Sequence, residues 1–354
     1  MVTGRRMLGI VAALALVLSA GCASHGQFRY QAPETAVQWP APPDPPRFRF
    51  VGRLTGEDNF VKEQDGASAV KKAFAWVVGL VLGEGRPRVL MRPQGVYVDA
   101  AAERIYVTDV GRKAVFVFDR TEGRLHIWEN GPDGGGLGTP VAIAPGAPGE
   151  LLVTDSQGGR VIRLNTEGKP LGSFGGDVLQ RPTGIARDPD HDRVYVADAK
   201  GHAIHRFDTA GRHLGRFGHK GSAEGELNGP THLAYKDGQL YVVDTLNSRV
   251  QIFDPDGKFL RGFGKRGMYI GDMPRPKGVA VDSEGHIYVV DSLFDVVQVF
   301  DRQGRLLLVF GGIIAVTGCY FGFKTSGGAE GVGRSTTDSV VCALLAVLIS
   351  DYFM

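Results

Sequence analysis

The sequence predicts an all-β protein, and an internal repeat, strand-forming segments and abundant turn residues support that fold class. A β-branched or aromatic segment ending in Asp recurs every 43 to 47 residues, at Asp109, Asp155, Asp198, Asp244 and Asp291. A fixed period of that size is typical of propellers and solenoids. The 51 Gly and 19 Pro among 354 residues suit a chain with many tight turns.

Each period contains four segments with strand character. The first begins at Pro-x-Gly in three copies, as at Pro93–Gly95, and the copies at Pro140–Ala142 and Pro230–His232 deviate from this pattern. The second ends at the recurring Asp, the third at Phe-Asp or a related pair, and the fourth mostly at Phe-Gly, as at Phe263–Gly264. Four short antiparallel strands per period form one propeller blade, so residues 92–312 predict five blades.

The repeats resemble NHL repeats, especially those of the six-bladed propeller lipoproteins of bacteria. Val250–Lys258, which reads Val-Gln-Ile-Phe-Asp-Pro-Asp-Gly-Lys, carries the resemblance most clearly. The resemblance implies a sixth blade, but no sixth copy follows Gly312. Arg47–Val51 alternates polar and apolar residues, which predicts an N-terminal strand that closes the last blade from outside, so the propeller is assigned to 47–312. A missing blade would expose sheet edges and favour aggregation, and contraction of the ring to five blades is the alternative.

One short helix is predicted near 67–83, before the first blade. Val70, Phe74, Val78 and Val81 recur there at helical spacing. This apolar stretch is too short to span a bilayer. We expect the helix to lie on the propeller rim, and a peripheral membrane contact is the alternative.

The N-terminus predicts export. Arg5 and Arg6 precede an apolar run at Leu8–Leu18, and Ser19–Cys22 follows. This arrangement resembles a bacterial lipoprotein signal over 1–21, which implies lipidation of Cys22 and attachment at the periplasmic face of the outer or, alternatively, the inner membrane. Ser19 stands where such signals usually carry Leu, and an ordinary cleaved signal peptide is the other interpretation. The Pro-rich segment 22–46 predicts an extended tether.

The repeat pattern ends before residues 313–354. Gly318–Phe323 and Ser326–Arg334 resemble the C-terminal part of the permease subunit of Mla-type phospholipid ABC transporters. A helical tail is therefore predicted, although a fragment of this size lacks the other membrane helices of a permease. Two interpretations remain: the tail is a fusion or truncation artefact that replaced the sixth blade, or it is a membrane segment that couples the propeller to phospholipid transport.

The recurring Asp residues and a few histidines are the candidate site residues. The five Asp could cap their own turns, or they could form a carboxylate ring that holds Ca or Zn. His232 replaces the Gly of Pro-x-Gly beside the expected channel, so it is a candidate ligand contact. His202 and His205 flank the start of a strand, and Phe294 and Asp295 interrupt a turn pattern.

These features predict a non-catalytic, lipid-anchored binding or scaffold module for an envelope protein, peptide or glycan, with no catalytic residue and no cofactor assigned. A metal-dependent lyase or lactonase is the first alternative, because such propeller enzymes resemble this fold. An accessory role in phospholipid ABC transport is the second, suggested by the tail. A net charge of +2 and the export signal argue against nucleic acid as a partner. Cys22, Cys319 and Cys342 all lie outside the repeats, which argues against a disulfide framework in the blades.

Overall fold

A computed structural model describes residues 26–32, 37–40, 43, 45–62 and 87–311. The helix predicted near 67–83, the helical tail and Cys22 lie outside these residues. No helix in the described ranges is long and apolar enough to cross a membrane. Short 3-10 turns occur at Glu57–Asn59, Pro132–Gly134 and Thr245–Asn247.

Twenty of the strands form five antiparallel four-stranded sheets, which confirms the predicted blades. Blade one contains β5 Pro93–Asp99, β6 Arg104–Asp109, β7 Ala114–Asp119 and β8 Arg124–Trp128, and blade two contains β9 Pro140–Pro145, β10 Glu150–Asp155, β11 Arg160–Asn165 and β12 Pro170–Phe174. Blade three contains β13 Pro182–Asp188, β14 Arg193–Asp198, β15 Ala203–Asp208 and β16 His213–Phe217. Blade four contains β17 Pro230–Lys236, β18 Gln239–Asp244, β19 Arg249–Phe253 and β20 Phe259–Phe263, and blade five contains β21 Pro276–Val281, β22 Ile287–Asp291, β23 Val296–Phe300 and β24 Leu306–Phe310.

The first strand of each blade is the innermost one and begins at the Pro that the sequence marks. A Pro has no N–H to donate, so it suits the first position of a strand. In blade one the register shifts between Pro93 and Gly95, where the Thr108 hydroxyl accepts a hydrogen bond from the Gly95 N–H. The Thr108 side chain, on the second strand, thus takes the place of a backbone acceptor of the regular strand ladder at the channel end of the blade.

Hydroxyl groups also link successive blades near the channel. Thr108 Oγ1 donates to the carbonyl of Val141 at 2.8 Å, and thereby joins blade one to blade two. The same kind of contact recurs around the ring: Thr154 to Thr183, Thr183 to Pro230, and Thr245 to Pro276. Each contact satisfies a buried carbonyl and fixes the position of one blade relative to the next.

The hydrophobic core consists of six clusters, each of which packs on the faces of one or two blades. Four clusters lie between consecutive blades; Tyr241, for example, packs with Val289 between blades four and five. The other two cover the free faces of blade one and blade five, and residues from the N-terminal segment contribute to both. Each blade therefore buries both of its faces, as a propeller requires.

The N-terminal segment folds as a two-armed ribbon. Its antiparallel pairs are β1 Gly26–Phe28 with β4 Phe60–Lys62, and β2 Gln38–Trp39 with β3 Phe48–Arg49. A further bridge joins Gln31 to Arg53 between them. Parts of the Pro-rich segment expected to be a tether thus pair with the residues that follow it.

The ribbon reaches from blade one to blade five. At one end the Gly26 N–H donates to Gly123 O at 3.0 Å in blade one. At the other end the rings of Trp39 and Phe48 lie 5.6 and 5.0 Å from the ring of Phe310 in blade five. The ribbon therefore covers the two blade faces that a sixth blade would otherwise bury.

The closing strand differs from the expectation. Residues 48–49 do form a strand, but they pair with Gln38–Trp39 and not with an edge of blade five. The hydrogen-bonding partner comes from the same ribbon because residues 37–39 fold back alongside 48–50, as the Phe50 N–H to Val37 O bond of 2.9 Å shows. Contact with blade five is instead made by aromatic side chains, a type of pair that contributes about 0.5 to 1.5 kcal/mol beyond area burial.

Candidate functional site at the channel mouth

The inner strands of the five blades line a central cavity of about 330 Å³. Its wall is mostly apolar, with Val96, Ile143, Ile185 and Val279 among the lining residues. Concave, largely apolar cavities with a few polar groups are the usual sites of small-molecule binding. All five inner strands run in the same direction, so their Pro-bearing ends meet at one mouth of the channel.

His232 is the polar residue of the lining closest to that mouth along its strand. It is half-buried on β17, and its Nδ1 atom is buried without a hydrogen-bond partner among the described residues. Burial lowers the pKa of His232 to about 4, so the ring is neutral at physiological pH. A neutral imidazole with a free nitrogen can accept or donate one hydrogen bond to a ligand.

The recurring Asp carboxylates face backbone donors. Asp109 accepts hydrogen bonds from the N–H groups of Met91, Arg92 and Arg112 at 2.5 to 3.1 Å. Asp198 accepts from Gln180, Arg181, Lys200 and Gly201 in the same manner. All five carboxylates are at most 2% exposed.

These contacts tie two loops of a blade together. Some donors come from the loop that enters the inner strand, and others come from the turn that follows the Asp. Donors thus surround each carboxylate, and an ion could bind only by displacing them. The geometry supports turn capping for Asp109, Asp155, Asp198, Asp244 and Asp291.

The same bonds fix a set of equivalent positions at the channel mouth. In blades one, two, three and five, one residue donates its N–H to the recurring Asp and accepts, through its C=O, the N–H of the residue after that Asp. In blade four the corresponding residue donates to Asp244 and accepts the N–H of Leu246, the second residue after that Asp. These residues are Arg92, Thr139, Arg181, Asn228 and Arg275. Blades one, three and five therefore present an arginine at the same point, just before the Pro of the inner strand.

The arginines at the mouth are exposed, and Lys277 lies nearby on β21. Their side chains make no hydrogen bond or ion pair within the described part of the chain. Burial lowers the pKa of Lys277, and the charges of Arg275 and Arg181 lower it further. Arg181 belongs to blade three and Lys277 to blade five, so cations from two blades meet at the mouth. A concave mouth explains why Lys277 is both accessible to water and close to other charges.

One group of side chains in the described residues has the spacing of a metal site. Ligand atoms of Asp119, Glu122 and His126 lie within 4.8 Å of one another. However, Glu122 already binds Arg124 at 2.6 Å and His126 at 2.9 Å, and Asp119 binds Arg104 at 2.7 Å. The group lies on the outer strands of blade one, away from the channel lining. It could hold a cation only after breaking these ion pairs.

His202 and His205 make different contacts. His202 Nδ1 accepts the N–H of Gly229 at 3.1 Å, which joins blade three to the loop entering blade four. His205 is 2% exposed, and its Nδ1 lies 3.1 Å from Nε2 of His213. Burial lowers the pKa of His205. Neither histidine lines the cavity, so the two do not form a site with His232.

Asp295 occupies the blade-five position that corresponds to His202. Both residues have a positive φ, and Ser248 in blade four does as well. Ser248 Oγ reaches the carbonyl of Pro274 at 3.4 Å, in the loop entering blade five. Asp295 Oδ1 is buried with no partner in the described residues, and burial raises the pKa of this carboxyl. Its position is the one from which a following blade would be contacted.

Comparisons with protein families match the repeat and the tail separately. The NHL repeat family matches residues 90–118 and 179–207, and a family described as a 6-bladed beta-propeller matches 223–307. The Permease MlaE family matches 289–354, which begins within blade five. These matches confirm the NHL-type repeats and the permease-like C-terminal segment.

The curated relatives match a short segment of the chain, and several are named as probable ABC transporter permeases. A probable ABC transporter permease of Synechocystis is 60% identical over 46 residues, which are 13% of this chain and 18% of the relative. Protein TRIGALACTOSYLDIACYLGLYCEROL 1 of Arabidopsis thaliana is 50% identical over 46 residues, 13% of each chain. The chain thus spans less than a fifth of the length of these relatives.

Solved structures align with the propeller. A chain of a nidogen/laminin complex aligns with a TM-score of 0.51 at 20% identity, over 64% of this chain and 84% of that one. This similarity supports the fold alone. A virginiamycin B lyase of Staphylococcus aureus aligns at 15% identity with a TM-score of 0.49, over 62% of this chain and 70% of that one, and nothing about activity follows from it.

The sequence identified His232 and the recurring Asp but missed the arginines at the mouth. Arg92, Arg181 and Arg275 each precede the Pro that begins an inner strand, so the signal is present in the repeat. This signal is weak because blades two and four carry Thr139 and Gly229 before the Pro. Only the ring arrangement shows that these three arginines start from equivalent backbone positions at one mouth.

Proposed function

We propose that this protein is a non-catalytic binding module whose ligand is held at the channel mouth. The main support for this proposal is His232, which lines an apolar cavity and whose Nδ1 atom has no hydrogen-bond partner among the described residues. The recurring Asp residues are occupied by backbone donors, which leaves them no free oxygen pair for catalysis or metal binding. The loops that surround a propeller mouth are common positions for recognition residues.

The binding proposal can be tested by blocking the cavity. Ala234 lines it, and Ala234→Trp would fill it, with Ala234→Leu as a milder block. Ala101→Trp, at an exposed position in the turn between β5 and β6, is the matched control. The full chain and its variants would be mixed with peptide, glycan and small-molecule fractions of the envelope, and the Tm of each mixture would be measured.

A ligand present at 100 times its Kd stabilises the folded state by about 2.7 kcal/mol. A Tm rise of roughly 5 to 10 °C is the corresponding shift for a domain of this size. We expect one fraction to raise the Tm of the parent and of Ala101→Trp, but not that of the blocked variants. Equal stabilisation of blocked and unblocked proteins would refute binding in the channel.

Export and lipid attachment at Cys22 form a second part of the proposal. The apolar run and the Ser19–Cys22 sequence support it, as does a propeller that begins after a Pro-rich segment. Intact mass of the detergent-extracted protein tests it directly: a diacylated species that begins at Cys22 is the expected result. A protein that keeps its first 21 residues, or that lacks lipid, would refute the anchor.

A role beside a phospholipid ABC transporter is the second candidate function. The observation that favours it is the 60% identity of a 46-residue segment to an ABC permease. Co-purification of the full chain with a permease from its native membrane, lost when 313–354 are removed, is the expected result. Unchanged recovery of the permease without those residues would remove this candidate.

A further inference from the structure

The cations at the channel mouth point to the chemistry of the ligand. We propose that the mouth binds a small amphiphilic anion, with its phosphate or carboxylate group held by Arg181, Arg275 and Lys277 and its apolar portion in the channel. This inference rests on the proposed function, since it names the ligand class for the same mouth.

The backbone fixes where the two arginines start. Arg181 N donates to Asp198 at 3.0 Å, and Arg275 N donates to Asp291 at 2.8 Å. Because both acceptors are buried carboxylates, the Cα atoms of the arginines are held rigidly while their side chains remain free. Arg92 is anchored to Asp109 in the same way in blade one. A site built on such fixed positions loses little backbone entropy when a ligand binds.

The charges at the mouth are not compensated by the protein. Some arginines of the blades have an acidic partner, as Arg163 has Glu150 at 2.7 Å and Arg212 has Asp208 at 3.0 Å. Arg181, Arg275 and Lys277 have none within the described ranges, although Lys277 is close enough to the other two for their charges to lower its pKa. Like charges in proximity raise the free energy of the unliganded protein, and an anion between them relieves that repulsion. Guanidinium groups also match the geometry of phosphate and carboxylate oxygens.

The cavity next to this cluster has a mostly apolar lining, so the part of a ligand that enters it should be apolar. Lys277 is followed on β21 by Val279, Ala280 and Val281, which all line the cavity. His232 and Arg187, on the inner strands of blades four and three, also line the cavity, and each has a buried nitrogen without a hydrogen-bond partner among the described residues. A volume of about 330 Å³ accommodates a short chain but not a folded peptide or an oligosaccharide. Within the proposed function, the structure therefore favours a small ligand.

Hexyl phosphate is a suitable probe because it combines the two features and is soluble as a monomer. Its binding to the full chain in a neutral detergent would be measured by isothermal titration, with inorganic phosphate and hexanol as half-probes. We expect hexyl phosphate to bind at least tenfold more tightly than either half-probe, and we expect added salt to weaken it. Affinity equal to that of hexanol would overturn the anion site, and affinity equal to that of inorganic phosphate would overturn the apolar part.

Charge variants locate the site. Arg181→Gln and Lys277→Gln should each weaken hexyl phosphate binding several-fold, and the double variant should weaken it further. Lys258→Gln removes a cation from an exposed turn at the other face of the propeller and should leave the affinity unchanged. Unchanged affinity in Arg181→Gln and Lys277→Gln would overturn the assignment.

The two proposals fail in different ways. If an envelope fraction still stabilises the parent, is blocked by Ala234→Trp and is insensitive to the Gln substitutions, channel binding stands and the anionic ligand class is wrong. If no fraction and no probe binds, both are wrong.

Discussion

Asp244 is held more extensively than the other recurring carboxylates. Besides the Asn228 N–H, it accepts hydrogen bonds from the side chains of Asn247, Arg249 and Gln251 at 2.8 to 3.2 Å. The Arg249 guanidinium in turn reaches three loop carbonyls, so one carboxylate organises the whole turn. This role could be foreseen from the repeat, since a residue present in every blade serves the blade itself.

Removal of this carboxylate should destabilise the propeller. Asp244→Ala removes the acceptor of the Asn228 N–H and the carboxylate partner of the partly buried Arg249 Nε, which we expect to cost about 3 to 5 kcal/mol. Chemical denaturation of the variant measures this loss. Asp190→Ala, in the exposed turn after β13, is the control and should behave as the parent. A small effect of Asp244→Ala would mean that the turn is held by other contacts.

His232 should make stability depend on pH. Its folded pKa of about 4 lies below the ordinary value of 6.5, so the unfolded chain takes up the proton first as the pH falls. The folded state therefore loses stability between pH 6.5 and 4, by on the order of 2 kcal/mol at pH 5 relative to pH 8. His232→Gly places at this position the residue found in blades one, three and five. Between pH 8 and pH 5, this variant should lose about 2 kcal/mol less stability than the parent. Parallel stability curves for the two proteins would show that the imidazole is solvated.

The N-terminal ribbon is the element that the sequence described least well. Alternation at 47–51 indicated a strand, but Pro-rich composition concealed the strands Gly26–Phe28 and Gln38–Trp39, which pair with other strands of the ribbon. Contacts between distant residues, such as Phe48 with Phe310, leave no local periodic signal. The blades were foreseeable because their strands pair with neighbours in sequence and repeat five times.

Contact between the ribbon and blade five should contribute strongly to stability. Phe310 is 4% exposed beneath Trp39 and Phe48, so Phe310→Ala should cost about 3 to 5 kcal/mol. Leu307, on the same strand, is 46% exposed, and Leu307→Ala should change stability by about 0.5 kcal/mol or less. Denaturation of both variants gives the comparison. Equal effects would indicate that the ribbon does not pack on blade five in solution.

At the scale of the whole molecule, the described residues form five blades and a ribbon that packs on blades one and five. Asp295 marks the open position, because the equivalent residues His202 and Ser248 contact the loop that enters the next blade. The sequence predicted five blades, which the described residues confirm. It could not show that the ribbon covers the faces of blades one and five.

The protein should therefore be more stable with an amide side chain at position 295 than with the carboxylate. Burial raises the pKa of Asp295, which means that the folded state disfavours its charge at neutral pH. Asn tolerates the positive φ of this position, so Asp295→Asn should gain roughly 0.5 to 1 kcal/mol at pH 7. The gain should disappear in acid, where the parent carboxyl is protonated. A loss of stability at pH 7 would instead indicate that the charged carboxylate is solvated or paired.

Ligand binding at the channel mouth is the central claim, and native mass spectrometry of the full chain purified from its own envelope tests it most directly. We expect the parent to carry one non-covalent anionic adduct of low mass. The adduct should be absent from Ala234→Trp and from the Arg181→Gln, Lys277→Gln double variant, and it should persist in Lys258→Gln. An adduct that survives both the blocked and the neutralised mouth would place the ligand elsewhere on the protein and contradict the account.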